Sequence, residues 1–178
     1  MLKLLEDECS YQTQRLTVLG YAKYMNKADL PGQVLNIMTP RVTQALPSGW
    51  QDINTTSDAD NWLKSVDEEC SFLLVQLSDT QEIIGFVFLY EPSSIVFPID
   101  VRIGYLLNER YWGAGIASEL IKGFLTWCNS YGAIKSITGG VEADNIGSIK
   151  VLEKNGFVQI ESNEEGAVFY VYNSERNG

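Results

Sequence analysis

Histidine is absent from this 178-residue sequence, and cysteine is scarce, occurring only as Cys9, Cys70 and Cys128. The lack of histidine excludes a Ser-His or Cys-His catalytic pair and would leave a zinc site with an unusual set of ligands. The three cysteines lie far apart and form no CxxC pair, so we expect buried thiols rather than a disulfide framework. We predict no metal site.

Basic residues are too few to balance the acidic ones, since 13 lysines and arginines stand against 23 aspartates and glutamates and the net charge is -10. Nucleic-acid binding depends on basic side chains that neutralise phosphates, so we expect no nucleic-acid partner. The acidity favours a cationic partner over an anionic one, although net charge chiefly affects solubility.

Long apolar runs are also missing, because no stretch approaches the roughly 18 apolar residues of a membrane span. The first residues, 1–8, lack the apolar centre and cleavage site of a secretory signal. We therefore expect a cytoplasmic protein with no membrane partner, either a monomer or a homodimer. With no repeat, low-complexity tract or linker, residues 1–178 are expected to form one domain.

Hydrophobic periodicity predicts an alternation of strands and helices. Period-two patterns predict strands at 14–19, 71–77, 82–90, 99–107, 135–141, 157–160 and 167–172, with a turn at 163–166. Helical spacing predicts a helix that Ser57 or Asp58 caps and that runs to about Val66. It also predicts helices from Ile116 to Gly132 and from Asn145 to Asn155, with short helices and loops in 20–56. We predict an α/β fold (α+β by some schemes) in which a mixed central sheet has helices on both faces.

The most distinctive segment, Arg110-Tyr111-Trp112-Gly113-Ala114-Gly115, joins a predicted strand to a predicted helix and is called the glycine turn below. Glycines let a backbone approach a ligand closely, and the first amides of a helix lack intrahelical acceptors and favour negative charge. The glycine turn can therefore hold a pyrophosphate, or it can simply connect strand and helix. A Rossmann turn would need a third glycine, and a P-loop would need Gly-Lys-Ser/Thr.

A second segment, 141–157, contains Asn145-x-x-Ser148 and ends in Glu-Lys-Asn-Gly-Phe. Together the two segments resemble the GNAT superfamily of acyl-coenzyme A N-acetyltransferases, whose signature Q/R-x-x-G-x-G/A matches the glycine turn. The Asn-x-x-Ser helix, the Thr-Gln-Arg-Leu sequence at 13–16 and the Ile-Gly-Tyr sequence at 103–105 resemble the RimJ/RimL branch. The resemblance implies a mostly antiparallel sheet of about seven strands that contains a splayed parallel pair.

The resemblance also implies that acetyl-CoA is the acyl donor and assigns residues to its binding. The backbone of Leu106 and Leu107 would contact pantetheine, while Asn145 and Ser148 would lie beside the cofactor arm and the thioester. The residues implied to surround the phosphates are Arg110, Tyr111, Trp112, Gly113, Ala114, Gly115, Ile116 and Ala117. Simpler roles stay open, because asparagine commonly caps a helix and serine is common in a first turn.

Acetyl transfer needs a neutral amine, stabilisation of an oxyanion and a proton for the leaving thiolate. The resemblance implies direct attack in a ternary complex, with Ser148, Asn145 and Glu142 as the catalytic residues. Ser148 would protonate the thiolate, either directly or through water, and Glu142, Glu91 or a water chain would accept the amine proton. Related enzymes often place a glutamate where glycines 139–140 stand here, so a non-catalytic acyl-CoA-binding or interaction module is the alternative hypothesis.

The acceptor is predicted to be a primary amine, either a protein N-terminus or a small molecule such as a polyamine or an amino-sugar antibiotic. At pH 7 a lysine amine with a pKa of about 10.4 is neutral in only ~1 of 10³ molecules, whereas an α-amine with a pKa near 8 is neutral in about a tenth. An α-amine therefore demands less of a base. Residues 20–56 and 92–98 are expected to form the acceptor groove, with Trp50, Trp62 and Tyr90 as candidate lining residues.

Overall fold

The computed structural model describes residues 3–161 and 166–174. The strands are β1 (Tyr11–Gln12), β2 (Leu16–Gly20), β3 (Ser71–Leu77), β4 (Ile83–Tyr90), β5 (Ile99–Leu107), β6 (Ile134–Glu142), β7 (Val158–Ile160) and β8 (Ala167–Asn173). The α-helices are α1 (Leu4–Glu8), α2 (Leu30–Ile37), α3 (Pro40–Thr43), α4 (Thr56–Glu69), α5 (Ile116–Tyr131) and α6 (Ile146–Lys154). The predicted turn at 163–166 lies outside the described residues, apart from Gly166.

The strands form a single sheet in the order β1-β2-β3-β4-β5-β6-β8-β7. Neighbouring strands are antiparallel except for β5 and β6, which run parallel and are connected through α5. The predicted mixed, mostly antiparallel sheet is confirmed, with eight strands instead of about seven. The additional strand, β1, has two residues and is too short to show a period-two pattern.

Two hydrophobic cores lie on opposite faces of the sheet, as the predicted helices on both faces require. The first core packs α1, α5 and α6 against one face, and the second packs α2, α3 and α4 against the other. Trp62 belongs to the second core and is only 4% exposed, so it does not line an acceptor groove. In the described part of the chain no helix is long and apolar enough to cross a membrane.

The N-cap of helix α4 lies two to three residues before the predicted cap, Ser57 or Asp58. Thr55 is the N-cap, because its hydroxyl accepts from the amide of Asp58 at 3.1 Å while the Asp58 carboxylate accepts from the amide of Thr55 at 2.9 Å. Asp58 is therefore the third residue of a capping box and not the cap itself. Helix α5 ends as predicted at Gly132, whose φ of 76° is readily adopted by glycine.

Replacing Phe72 with alanine is expected to destabilise the fold strongly. Phe72 is fully buried. The centroid of its ring lies 5.2 to 5.8 Å from the ring centroids of four neighbours, Tyr21, Trp62, Phe86 and Phe88. We expect Phe72→Ala to lower the free energy of unfolding by about 3–5 kcal/mol because it leaves a cavity. Chemical denaturation measures this, with Val158→Ala as a matched control.

The Val158 side chain is 63% exposed, so its truncation should cost less than about 0.5 kcal/mol. Equal losses for the two variants would contradict the assignment of Phe72 to the centre of the second core.

Candidate active site

Strands β5 and β6 separate from one another midway along their length. Their parallel pairing runs from Ile99 to Ile103, which is opposite Gly139. Beyond this point β5 stays paired with β4 as far as Leu107, and β6 stays paired with β8 as far as Glu142. Residues 104–107 and 140–142 thus border an opening, called the β5–β6 gap below, and the predicted splayed parallel pair is confirmed.

The separation has a local cause in β4. Val75 of β3 lies opposite Gly85, but Gln76 lies opposite Ile83, so Ile84 is an extra residue that forms a β-bulge. Bulges increase the local twist of a strand. A Cβ on Gly85 would lie 2.4 Å from the backbone oxygen of Leu106, so only glycine permits this approach. The end of β5 is therefore drawn toward β4 and away from β6.

The orientation of the β5 peptide groups decides which of them face the gap. The Asn108 amide donates to the Ile84 carbonyl at 2.7 Å. Because peptide groups alternate in direction along a strand, those of Leu106 also face β4, whereas those of Tyr105 and Leu107 face the gap. The Leu107 carbonyl accepts from Nε1 of Trp112 at 2.9 Å. The Leu107 amide and the Tyr105 peptide groups therefore remain directed into the gap.

The glycine turn lies at the mouth of this gap and leads into α5. Gly113 and Gly115 have φ values of 76° and 78°, in the left-handed region that glycine tolerates. The first hydrogen bond of the helix runs from the Glu119 amide to the Gly115 carbonyl at 3.1 Å. The amides of Ile116 and Ala117 precede it and have no helical acceptor. The turn therefore offers backbone donors to an anion.

A hydroxyl pair bridges the two sides of the gap. Ser148 lies in the first turn of α6, where its amide donates to Oδ1 of Asn145 at 3.2 Å, so the capping role predicted for Asn145 is confirmed. The Ser148 hydroxyl accepts from the Tyr105 hydroxyl of β5 at 3.4 Å. Burial raises the pKa of Tyr105, and the hydrogen bond with Ser148 only partly opposes this effect. Tyr105 is therefore protonated at neutral pH and can donate a proton.

The sequence analysis assigns no role to Tyr105, which appears there only within the Ile-Gly-Tyr sequence at 103–105. A signal was present in the alternation of Ile103, Tyr105 and Leu107, which places all three side chains on one face of β5. In the structure all three pack with the first core, which α5 and α6 cover.

The candidate bases differ in position. Glu91 follows β4 beyond Tyr90, which pairs with Arg102 in the part of β5 that precedes the gap, and its carboxylate accepts from the Leu5 amide at 2.8 Å. This contact ties Glu91 to α1. Glu142 ends β6 at the gap, and its main-chain oxygen accepts from the Asn145 amide at 2.9 Å. Its side chain is exposed and, within the described residues, makes no hydrogen bond or ion pair.

Comparison with known proteins shows the family to which this chain belongs. The family model of the acetyltransferase (GNAT) domain matches residues 23–158, so the chain belongs to the GNAT acetyltransferase family. A curated relative, the uncharacterized N-acetyltransferase YjdG of Bacillus subtilis, is 33% identical over 89 residues, which are 49% of this chain and 51% of the relative. The matched region thus spans about half the length of that relative.

Solved structures share the fold over nearly the whole chain. A GNAT acetyltransferase from Bacillus anthracis has a TM-score of 0.73 at 16% identity, covering 94% of this chain and 99% of its own. RimL, a ribosomal L7/L12 alpha-N-protein acetyltransferase solved with coenzyme A, has a TM-score of 0.70 at 18% identity, covering 90% and 95%. The predicted family is confirmed, and its structural relatives include a member of the RimJ/RimL branch.

Replacing Gly85 with alanine should disturb the gap through the backbone of β5. The new methyl group would meet the Leu106 carbonyl oxygen, so β5 must move, and we expect a loss of about 1–3 kcal/mol in the free energy of unfolding. Gly104→Ala on the neighbouring strand is the matched control, because its Cβ would meet only the Phe88 side chain at 3.6 Å. Chemical denaturation measures the free energy of unfolding of both variants. Equal values for Gly85→Ala and Gly104→Ala would contradict the close contact assigned to Gly85.

Proposed function

We propose that this GNAT-family protein is an acetyl-CoA-dependent N-acetyltransferase, working as one domain over residues 1–178, that transfers an acetyl group to a primary amine. The observation that carries the proposal is the β5–β6 gap, with the Tyr105–Ser148 hydroxyl pair bridging it and the glycine turn at its mouth. An elongated donor with an anionic end and a thioester end matches this arrangement in both shape and chemistry.

The residues present fit such a donor. The diphosphate would lie against residues 110–117, where the amides at the start of α5 lack acceptors and the helix dipole favours negative charge. Space is open around Gly113, since a Cβ there would meet nothing within 4 Å. The amide of Leu107 and the peptide groups of Tyr105 would bind the pantetheine arm, in place of the Leu106 backbone.

The hydroxyl pair can supply the proton that the leaving sulfur needs. The amine nitrogen would attack the thioester carbonyl carbon directly in a ternary complex, and the carbon–sulfur bond would break as the tetrahedral intermediate collapses. Ser148 would give its proton to the sulfur and take one from Tyr105, whose hydroxyl already donates to it. Tyr105 would regain its proton from water before the next turnover, because burial keeps its pKa above the ordinary value. Asn145 holds the first turn of α6 in place, so its part is to position Ser148.

The amine must also lose a proton, and Glu142 is our candidate acceptor. It ends β6 at the gap, three residues before the Asn145 cap. A solvent-exposed carboxylate is a weak base for an ammonium group, which favours an acceptor that is already partly neutral. This argues for an α-amine over a lysine side chain. RimL is an alpha-N-protein acetyltransferase, so a protein N-terminus leads the list of acceptors, ahead of small-molecule amines.

The first experiment measures coenzyme A binding by calorimetry and then acetyl transfer to a panel of amines by mass spectrometry. We expect binding, together with turnover on at least one α-amine. Ser148→Ala and Tyr105→Phe should each lower kcat about 10²-fold, the range of general acid catalysis, with cofactor affinity unchanged within about twofold. Val158→Ala serves as the control with unchanged kinetics.

The outcomes separate the hypotheses. Absence of coenzyme A binding would overturn the proposal. Cofactor binding without turnover on any amine, and with Ser148→Ala indistinguishable from the parent, would instead support the non-catalytic acyl-CoA-binding module.

The rate of acetyl transfer should also increase with pH. Because the pKa of Tyr105 is raised above its ordinary value of 10.0, the hydroxyl stays protonated as pH increases from about 6 to 9. The kcat/KM should therefore rise with pH as the acceptor amine loses its proton, without a falling limb in this range. A falling limb that Tyr105→Phe removes would contradict this assignment.

A further inference from the structure

Arg15, immediately before β2, reaches across to the glycine turn. Its Nη1 donates to the carbonyl oxygen of Ala114 at 3.0 Å, and its Nε donates to Oε1 of Glu119 at 2.8 Å. Its Nη2 lies 3.7 Å from the position that a Cβ on Gly115 would occupy. A guanidinium group is thus fixed against the backbone of the glycine turn, at the start of α5.

The negative charge of Glu119 opposes anion binding at the start of α5, and the guanidinium of Arg15 can offset that charge. It lies in the first turn of α5, where an ionised carboxylate would repel a phosphate group. Its Oε2 accepts from the Thr13 hydroxyl at 2.5 Å and from the Arg15 amide at 2.9 Å. Partial burial opposes ionisation, but these hydrogen bonds outweigh it and lower the pKa of Glu119. The charge of this carboxylate is therefore present and is matched by the guanidinium.

The contact with Ala114 also sets the direction of a neighbouring amide. In a trans peptide the carbonyl of one residue and the amide of the next point in opposite directions. Because Arg15 holds the Ala114 carbonyl, the Gly115 amide must point to the other side of the turn. Gly113 and Gly115, at φ values of 76° and 78°, would otherwise allow this peptide to rotate easily.

We propose that Arg15 is a positioning residue for the diphosphate of acyl-CoA. It fixes the direction of the Gly115 amide and neutralises the charge of Glu119. This inference rests on the proposed function and adds a residue 95 positions or more away in sequence from the turn that it organises.

The test compares Arg15→Ala with the parent protein on two acyl donors. Acetyl-CoA carries the diphosphate, whereas S-acetylpantetheine lacks it. For Arg15→Ala we expect about a tenfold weaker affinity for coenzyme A by calorimetry and a similar rise in the KM for acetyl-CoA, with kcat at saturation within about twofold of the parent value. The kcat/KM for S-acetylpantetheine should not change.

Matched variants show whether Arg15→Ala weakens coenzyme A binding by disturbing the glycine turn or only by lowering the charge or the stability of the protein. Lys64→Ala removes one positive charge from a remote ion pair with Asp60 and should leave the affinity for coenzyme A unchanged. Adding Glu119→Gln to Arg15→Ala should recover part of the lost affinity, because the uncompensated carboxylate is then gone. Arg15→Lys should bind coenzyme A more tightly than Arg15→Ala does, because lysine keeps the positive charge.

Each outcome bears on a distinct statement. If the parent protein binds no coenzyme A, the proposed function fails. If the parent protein binds it and Arg15→Ala binds equally well, only the role of Arg15 is overturned. Equal losses with acetyl-CoA and S-acetylpantetheine would also overturn that role, since they would show a general structural effect. With no turnover, calorimetry on the same variants still decides between these results.

Discussion

The early end of the parallel pairing between β5 and β6 is the constraint on which the candidate site depends. Both strands remain in the sheet because each keeps its antiparallel neighbour, β4 on one side and β8 on the other. The opening therefore costs only a few hydrogen bonds between two strands that are otherwise held firmly. The bulge at Ile84 and the bare backbone of Gly85 direct β5 away from β6. The two sides of the site are thus held by the cores on both faces.

Electrostatics present a second constraint, because the proposed donor is a polyanion and the protein has a net charge of -10. General attraction cannot hold such a donor, so the binding energy must come from fixed local donors. Backbone amides at the start of α5 are such donors, and their direction is set by the shape of the glycine turn. The ion pair between Arg15 and Glu119 shows how an acidic helix start can still suit an anion.

Local patterns predicted those elements whose signals are contained in one segment. Strand β3, strand β5 and helix α5 with its Gly132 end match the predictions closely, because each is long and regular. The capping role of Asn145 also followed from its place before a helix. Family resemblance added the splayed pair, which periodicity alone does not indicate.

The remaining features depend on contacts between distant segments. The Tyr105–Ser148 pair joins residues 43 positions apart, and Arg15 and Ala114 are 99 apart, so no local pattern marks either contact. Gly85 matters only because the backbone of Leu106 lies against it. Glu91 is a candidate base by sequence, but its carboxylate is bound to the Leu5 amide of α1 and it lies beyond Tyr90, which pairs with Arg102. In each case tertiary packing decides the role.

The most direct measurement is a crystal structure of the protein with coenzyme A bound. We expect pantetheine to lie in the β5–β6 gap, with its sulfur within hydrogen-bonding reach of the Ser148 or Tyr105 hydroxyl. We also expect the diphosphate to contact the amides at the start of α5. Coenzyme A bound outside the gap, or with its sulfur directed away from both hydroxyls, would contradict the central claim.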